Sequence, residues 1–208
     1  MNNIGRKLAR LRDYLLKLSQ GNAQSGFTLI ELLVVILVIG ILLGIAIPTY
    51  LSTLDSAHDA SAETDLANAL LAARNIFLYN EGESNGQGYG TSAQAVAQLS
   101  SSSNQIGGQN DPLTFTTGPV SQVHQISVLT GSTFNNGVYD WIVLAAWSQS
   151  GYCFDVLDNT DTGVGALPPG QGVWYGVQGP NMSSCLPVAP PWGSQPNFRY
   201  RGNSFPAI

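Results

Sequence analysis

The chain has 208 residues and a formal net charge of −5 at neutral pH, and its 8 basic residues are unevenly placed. Five of them lie within the first 17 residues, whereas residues 27–208 hold three arginines against 12 acids, a balance of −9. Such a body excludes a basic patch for strong nucleic-acid binding, and the basic head and the acidic body are expected on different sides of a boundary.

Residues 1–26 form a basic leader with apolar positions at helical spacing. These positions recur every three or four residues, at Ile4, Leu8, Leu11, Leu15 and Leu18. The pattern is typical of a short amphipathic helix lying on anionic lipid. The alternative is that the basic residues only set the membrane topology.

Residues 27–47 form an apolar run with one charged residue, Glu31. As a helix, these 21 residues extend roughly 31 Å, which matches the roughly 30 Å hydrocarbon core of a bilayer. The basic residues before the run orient the N-terminus to the cytoplasm and the body, from about Tyr50, to the outside. The length of the run disfavours the alternative, a buried core helix of a soluble domain.

Two small residues lie directly before the apolar run. Nothing like an Ala-x-Ala cleavage site follows Ile47 directly, whereas Ser25 and Gly26 precede Phe27. The stretch strongly resembles the type IV pilin family, whose processing motif is matched position by position by Gly26, Phe27, Thr28, Leu29, Ile30 and Glu31. The resemblance covers the end of the leader and the helix that follows.

The resemblance implies roles for three of these residues. A prepilin peptidase would cut between Gly26 and Phe27 and methylate the new Phe27 amine. Glu31 would then guide assembly, its carboxylate meeting the Phe27 amine of a neighbouring subunit. Independently, an acid inside a membrane helix costs about 2.5 to 3.5 kcal/mol, so a cationic partner is expected. The alternative is a Glu31 side chain that only reaches to the lipid interface.

Residues 27–50 are thus predicted as a membrane and filament-core helix, and residues 51–81 as its amphipathic continuation. By the resemblance, Pro48 marks a kink rather than a stop. One face of the continuation carries Leu54, Ala57, Leu66, Leu70, Ala73 and Phe77. The charged side chains predicted elsewhere are Asp55, Asp59, Glu63, Asp65 and Arg74.

Residues 82–208 are predicted to form one extracytoplasmic globular domain. Thr91 or Ser92 caps a short helix, and the run of serines from Ser100 is predicted as a loop. From Leu113 the period changes toward two, which predicts four or five strands joined as antiparallel hairpins. The fold class is therefore α+β, a long N-terminal helix packed on a small antiparallel sheet, and it is similar to pilins.

Cys153 and Cys185 are the two cysteines of the chain. Outside the cytoplasm such a pair is expected to form a disulfide, worth roughly 3 to 4 kcal/mol by chain entropy at this separation. The resemblance agrees, because pilins often close a C-terminal loop in this way. The alternative is a metal site built from two thiols and distant histidines.

Oxygen ligands follow the first cysteine at Asp155, Asp158, Asn159 and Asp161. The major pseudopilins of type II secretion bind calcium in a C-terminal loop, so the resemblance makes the three aspartates calcium candidates. The closing glutamate of a calcium loop is absent and the alternative is solvated acids, so no metal or other cofactor is predicted. His58 on the helix and His124 on a predicted strand have no neighbour at ligand spacing.

The sequence has neither a nucleophile turn nor a phosphate loop, so an enzyme is not predicted. The resemblance implies a structural subunit of a type IV pilus, cut by prepilin peptidase and assembled with like subunits by inner-membrane machinery. The precursor would span the cytoplasmic membrane, in contact with lipid, and the filament would reach the cell surface. The alternatives are an envelope-confined pseudopilin of a type II secretion or DNA-uptake filament, and a signal-anchored enzyme or binding module.

Overall fold

The computed structural model describes residues 26–82, 87–106, 112–132, 138–160, 171–190, 198–202 and 204–206. Its elements in chain order are α1 (Leu29–Gly82), α2 (Ser92–Ile106), β1 (Thr114–Thr116), β2 (Gln125–Gly131), β3 (Trp141–Trp147), β4 (Cys153–Asn159), β5 (Gly172–Gln178) and β6 (Phe198–Arg201). By backbone contacts the chain divides into two units, Met1–Thr49 and Tyr50–Ile208. The helix predicted within the basic leader lies outside the described residues.

Helix α1 runs through the boundary between the two units. It has 54 residues, and Pro48 lies inside it without ending it. Every side chain of α1 before Leu54 is exposed, and burial begins further along the helix. The apolar first part of α1 is therefore uncovered, whereas the amphipathic second part is buried along one side, as the change of hydrophobic pattern predicts.

The second part of α1 is buried along one stripe. Leu66, Ala69 and Ala73 are fully buried, at the three- and four-residue spacing of one helix face. This stripe joins the strand side chains Ile142, Leu144, Phe154 and Val156 in one core cluster.

Two predictions for this helix face are wrong. Ala57, predicted on the buried face, is exposed, and Asp59, predicted on the polar side, is buried. Asp59 is buried because the β3–β4 turn supplies donors to it. The Ser148 hydroxyl donates to Asp59 Oδ1 at 2.6 Å, and the Ser150 hydroxyl donates to the same oxygen. A buried carboxylate is tolerated where hydrogen bonds satisfy it.

The strands form one sheet in the order β1-β2-β3-β4-β5-β6. The α+β class is confirmed, but in the described part of the chain the sheet has six strands rather than four or five, and β1 pairs with β2 in parallel. The extra strand is β6, in the proline-rich C-terminal region, where composition disfavours a strand. Only residues 117–124 join β1 to β2, which is shorter than the usual parallel crossover of about a dozen residues.

The central strands β3 and β4 are buried on both faces. Alternate residues face α1, and the residues between them form a second face with its own apolar clusters. A C-terminal strap, residues 179–190, lies against this second face. The Cys153–Cys185 disulfide, with Cα atoms 5.6 Å apart, joins the strap to β4. The chain is thus cross-linked at the sheet face that α1 does not cover.

Helix α2 begins with a capping box. The Thr91 hydroxyl accepts a hydrogen bond from Gln94 N at 3.3 Å, and Gln94 Oε1 accepts one from Thr91 N at 2.8 Å. Thr91 is therefore the cap. The prediction that the serines after Ser100 form a loop is wrong, because α2 continues to Ile106. The Ser101 and Ser102 hydroxyls donate to the Gln98 carbonyl, so these serines are satisfied within the helix.

Replacing Thr91 with valine is expected to lower the free energy of unfolding by about 1 kcal/mol, because Gln94 N loses its side-chain acceptor. Urea unfolding of the full chain in detergent micelles, followed by tryptophan fluorescence, measures the change. The control Ser101→Ala removes a hydroxyl from the same helix and is expected to shift the value by less than about 0.5 kcal/mol. Equal unfolding midpoints for the two variants would contradict a stabilising cap at Thr91.

Candidate functional site

The motif residues precede and begin α1. Gly26, Phe27 and Thr28 are not helical, and α1 starts at the next residue. The Phe27 side chain is 91% exposed, and nothing lies within 4 Å of the position that a Cβ on Gly26 would take. Gly26 and Phe27 therefore lie exposed in a non-helical segment just before α1.

Glu31 and Thr28 form a capping box at the start of α1. Glu31 Oε2 accepts hydrogen bonds from Thr28 N at 2.9 Å and from the Thr28 hydroxyl at 2.8 Å. Glu31 N in turn donates to Thr28 Oγ1 at 3.3 Å. The carboxylate thus satisfies a backbone N–H at the positive end of the helix dipole.

Thr28 is a hydrogen-bond partner that the predictions for Glu31 do not include. A cation was expected for Glu31, whereas the described residues give it the hydroxyl and amide of Thr28. The spacing of a threonine and a glutamate three residues apart, before an apolar run, is itself the signal of such a box. Thr28 therefore holds the Glu31 carboxylate at the start of α1.

The helix after the capping box presents an uncovered apolar surface. α1 is long and apolar enough to cross a membrane, with a mean hydropathy of 3.1 in its most apolar window and none of that window buried. An apolar surface of this extent requires lipid or other protein chains around it. Thr28, Glu31 and the apolar first part of α1 thus follow one another along one exposed segment.

The calcium candidates on β4 do not lie together. Asp155 and Asp158 are three residues apart on one strand, so they point to opposite faces of the sheet. Both are buried, so the alternative of solvated acids is wrong for them. Asp161, the third candidate, lies outside the described residues. In the part of the chain that the structure describes, no three His, Cys, Asp or Glu side chains are grouped to hold a metal ion.

Asp158 instead joins α1 to the sheet. Arg74 donates from Nε to Asp158 Oδ2 at 2.7 Å and from Nη2 to Oδ1 at 3.2 Å. The buried Tyr89 hydroxyl donates to the same carboxylate at 2.8 Å. Burial and the neighbouring Asp158 charge raise the pKa of Tyr89, so its phenol stays protonated as a donor. This cluster of Arg74, Asp158 and Tyr89 therefore has the properties of a structural contact between α1 and the sheet rather than of a catalytic pair.

The two histidines lie in different surroundings. His124 was predicted on a strand, but it lies in the turn before β2 with a positive φ of 58°. Its Nδ1 is 3.0 Å from Asp65 Oδ2 on α1. His58 is half-buried on α1. Neither belongs to a metal-binding group among the described residues.

Comparison with known proteins adds one match. Residues 21–47 match the protein family described as the prokaryotic N-terminal methylation motif, the motif of type IV pilins and pseudopilins. No curated protein and no solved structure matches the chain. The matched range contains the exposed Gly26–Phe27 bond, the Thr28–Glu31 capping box and the apolar first part of α1.

Proposed function

We propose that this chain, which carries the N-terminal methylation motif of type IV pilins and pseudopilins, is a structural subunit of a type IV pilus. The observation that carries the proposal is the capped acid at the exposed start of an uncovered apolar helix. A peptidase would remove residues 1–26 by cutting after Gly26. The amine of Phe27 would then be free for methylation.

Assembly follows from what the first part of α1 exposes. In the membrane, lipid covers the apolar side chains of residues 27–50, and in a filament copies of the same helix would replace the lipid. Glu31 lies four residues after Phe27, near the same end of α1, so the carboxylate of one subunit can pair with the amine of another. Such a charge pair is strong in a surrounding from which water is excluded.

The rest of the chain would be displayed outside the cytoplasm. Residues 51–81 continue α1 and pack on the sheet, and residues 82–208 complete the globular domain. The disulfide between Cys153 and Cys185 is typical of an oxidising compartment, in agreement with this placement. Like subunits, prepilin peptidase and the inner-membrane assembly machinery are the proposed partners.

Replacing Gly26 with valine tests the processing step. Because nothing surrounds a Cβ at this position, the substitution is expected to leave the fold intact and to block cleavage through a clash with the peptidase. Immunoblots would then show the full-length precursor, and immunogold microscopy would show no labelled filaments. Gly118→Ala, whose Cβ would meet only ordinary contact with Thr116, is the control. Normal cleavage of Gly26→Val would contradict the assigned site.

A further inference from the structure

The C-terminal strap, residues 179–190, is held in two different ways along its length. Its first part is attached by neutral contacts and by the disulfide. The Trp147 indole donates to the Met182 carbonyl at 2.8 Å, and Cys185 exchanges two backbone hydrogen bonds with Val120 at 2.7 and 2.9 Å. None of these contacts involves a titratable group, so the attachment of the first part does not depend on pH.

The second part of the strap is hydrogen-bonded to two side chains of the sheet, Asp155 and Gln178, and Val188 also packs on an apolar cluster of the sheet. Gln178 Nε2 donates to the Leu186 carbonyl at 3.1 Å, and Val188 N donates to Asp155 Oδ1 at 3.2 Å. Gln178 Nε2 also donates to Asp155 Oδ2 at 2.6 Å. Asp155 and Gln178 therefore form one hydrogen-bonded unit beneath the strap.

Asp155 is a fully buried carboxyl group with no described counter-charge. Its exposed fraction is 0%, and its partners are the Gln178 amide and the Val188 N–H. None of the described residues forms an ion pair with it. Burying an ionised carboxylate without a cation is costly, and exposing it to water removes that cost.

We propose that Asp155 is a proton-dependent latch for residues 186–190, which holds this part of the strap closed when it is protonated and loosens it when it is ionised. The closed strap excludes water from the carboxyl group, whereas an open strap lets water hydrate the charge. Asp155 loses one proton when the strap opens and regains it when the strap closes. The disulfide at Cys185 confines the opening to the residues that follow it.

The direction of the pH effect follows from the burial. Desolvation raises the pKa of Asp155 to about 7 in the closed state, whereas a hydrated aspartate has a pKa of about 3.9. Closure is therefore fully favoured below the hydrated value and is lost as pH rises through the closed-state value.

Other titratable groups around Asp155 are few. Ala145 of β3 and Gly176 of β5 lie directly opposite it, and the described strap residues that cover it do not titrate. Across Gly176, the register position on β6 belongs to Tyr200, a residue type with an ordinary pKa of about 10.

Hydrogen exchange of the full chain in detergent micelles tests the latch. Exchange is measured at about pH 5.5 and about pH 8.5 and corrected for intrinsic rates, in a peptide that spans residues 186–188. The expected protection is about 30-fold greater at the lower pH, from the two pKa values. A peptide from β3 is the internal control and is expected to keep one protection factor. Equal wild-type protection of residues 186–188 at both pH values would overturn the proposal.

Two variants test whether Asp155 causes the pH dependence of protection in the strap. Asp155→Asn cannot ionise, so its strap protection is expected to be the same at both pH values. Asp55→Asn, an exposed acid on α1, is the matched control and is expected to keep the wild-type ratio. A pH dependence that persists in Asp155→Asn would overturn the latch. If that variant does not fold, the wild-type comparison still decides.

Discussion

Replacing Glu31 with glutamine is expected to lower the yield of sheared filaments by about tenfold or more, because losing a charge-assisted pair of roughly 1.5 to 3 kcal/mol weakens association by that factor. Glutamine keeps the capping box with Thr28, since its side-chain oxygen accepts the same hydrogen bonds. The start of α1, membrane insertion and cleavage after Gly26 should therefore be unchanged. The substitution therefore removes the charge of residue 31 and leaves the helix cap in place.

The measurement is a quantitative immunoblot of the sheared fraction against the membrane fraction. Glu63→Gln is the matched control, because it makes the same change on the same helix beyond the apolar part, and its yield is expected to equal the wild type. A normal filament yield from Glu31→Gln, with normal cleavage, would falsify the role proposed for this carboxylate in assembly.

Replacing Asp158 with alanine is expected to cost about 1 to 3 kcal/mol of folding free energy, because the buried Tyr89 hydroxyl loses its acceptor while the half-exposed Arg74 can turn to water. Two donors lose their acceptor at once, the Arg74 guanidinium and the buried Tyr89 hydroxyl. Both tie the second part of α1 and the segment after it to strand β4. The whole globular domain should therefore unfold at lower denaturant concentration.

Urea unfolding of the full chain in detergent micelles measures this loss. Asp55→Ala is the control, since Asp55 is an exposed acid of the same helix and is expected to change stability by less than about 0.5 kcal/mol. An Asp158→Ala midpoint equal to that of Asp55→Ala would show that the Arg74–Asp158–Tyr89 cluster contributes little.

Sequence patterns predicted the features that depend on neighbours along the chain. The length and period of α1, the cap at Thr91 and the strands β3 and β4 follow from residues a few positions apart. The capping box of Thr28 and Glu31 is a local pattern of the same kind, and the sequence alone could have predicted it. Local spacing therefore accounts for the site at the start of α1.

Long-range partners explain where the predictions are wrong. The burial of Asp59 and Asp158 was not predicted, because the groups that hydrogen-bond to them lie 89 and 84 residues away along the chain. Nor does a sequence pattern reveal that residues 179–190 cover Asp155. Burial of a carboxylate depends on donors that only the folded chain brings to it.

The central claim is that this chain is cut after Gly26 and built into a surface filament. Mass spectrometry of the N-terminal peptide from filaments sheared off intact cells tests it most directly. The expected peptide begins at methylated Phe27. A peptide that begins at Met1 would contradict processing, and processed protein found only in the membrane fraction would contradict the pilus and favour an envelope-confined pseudopilin.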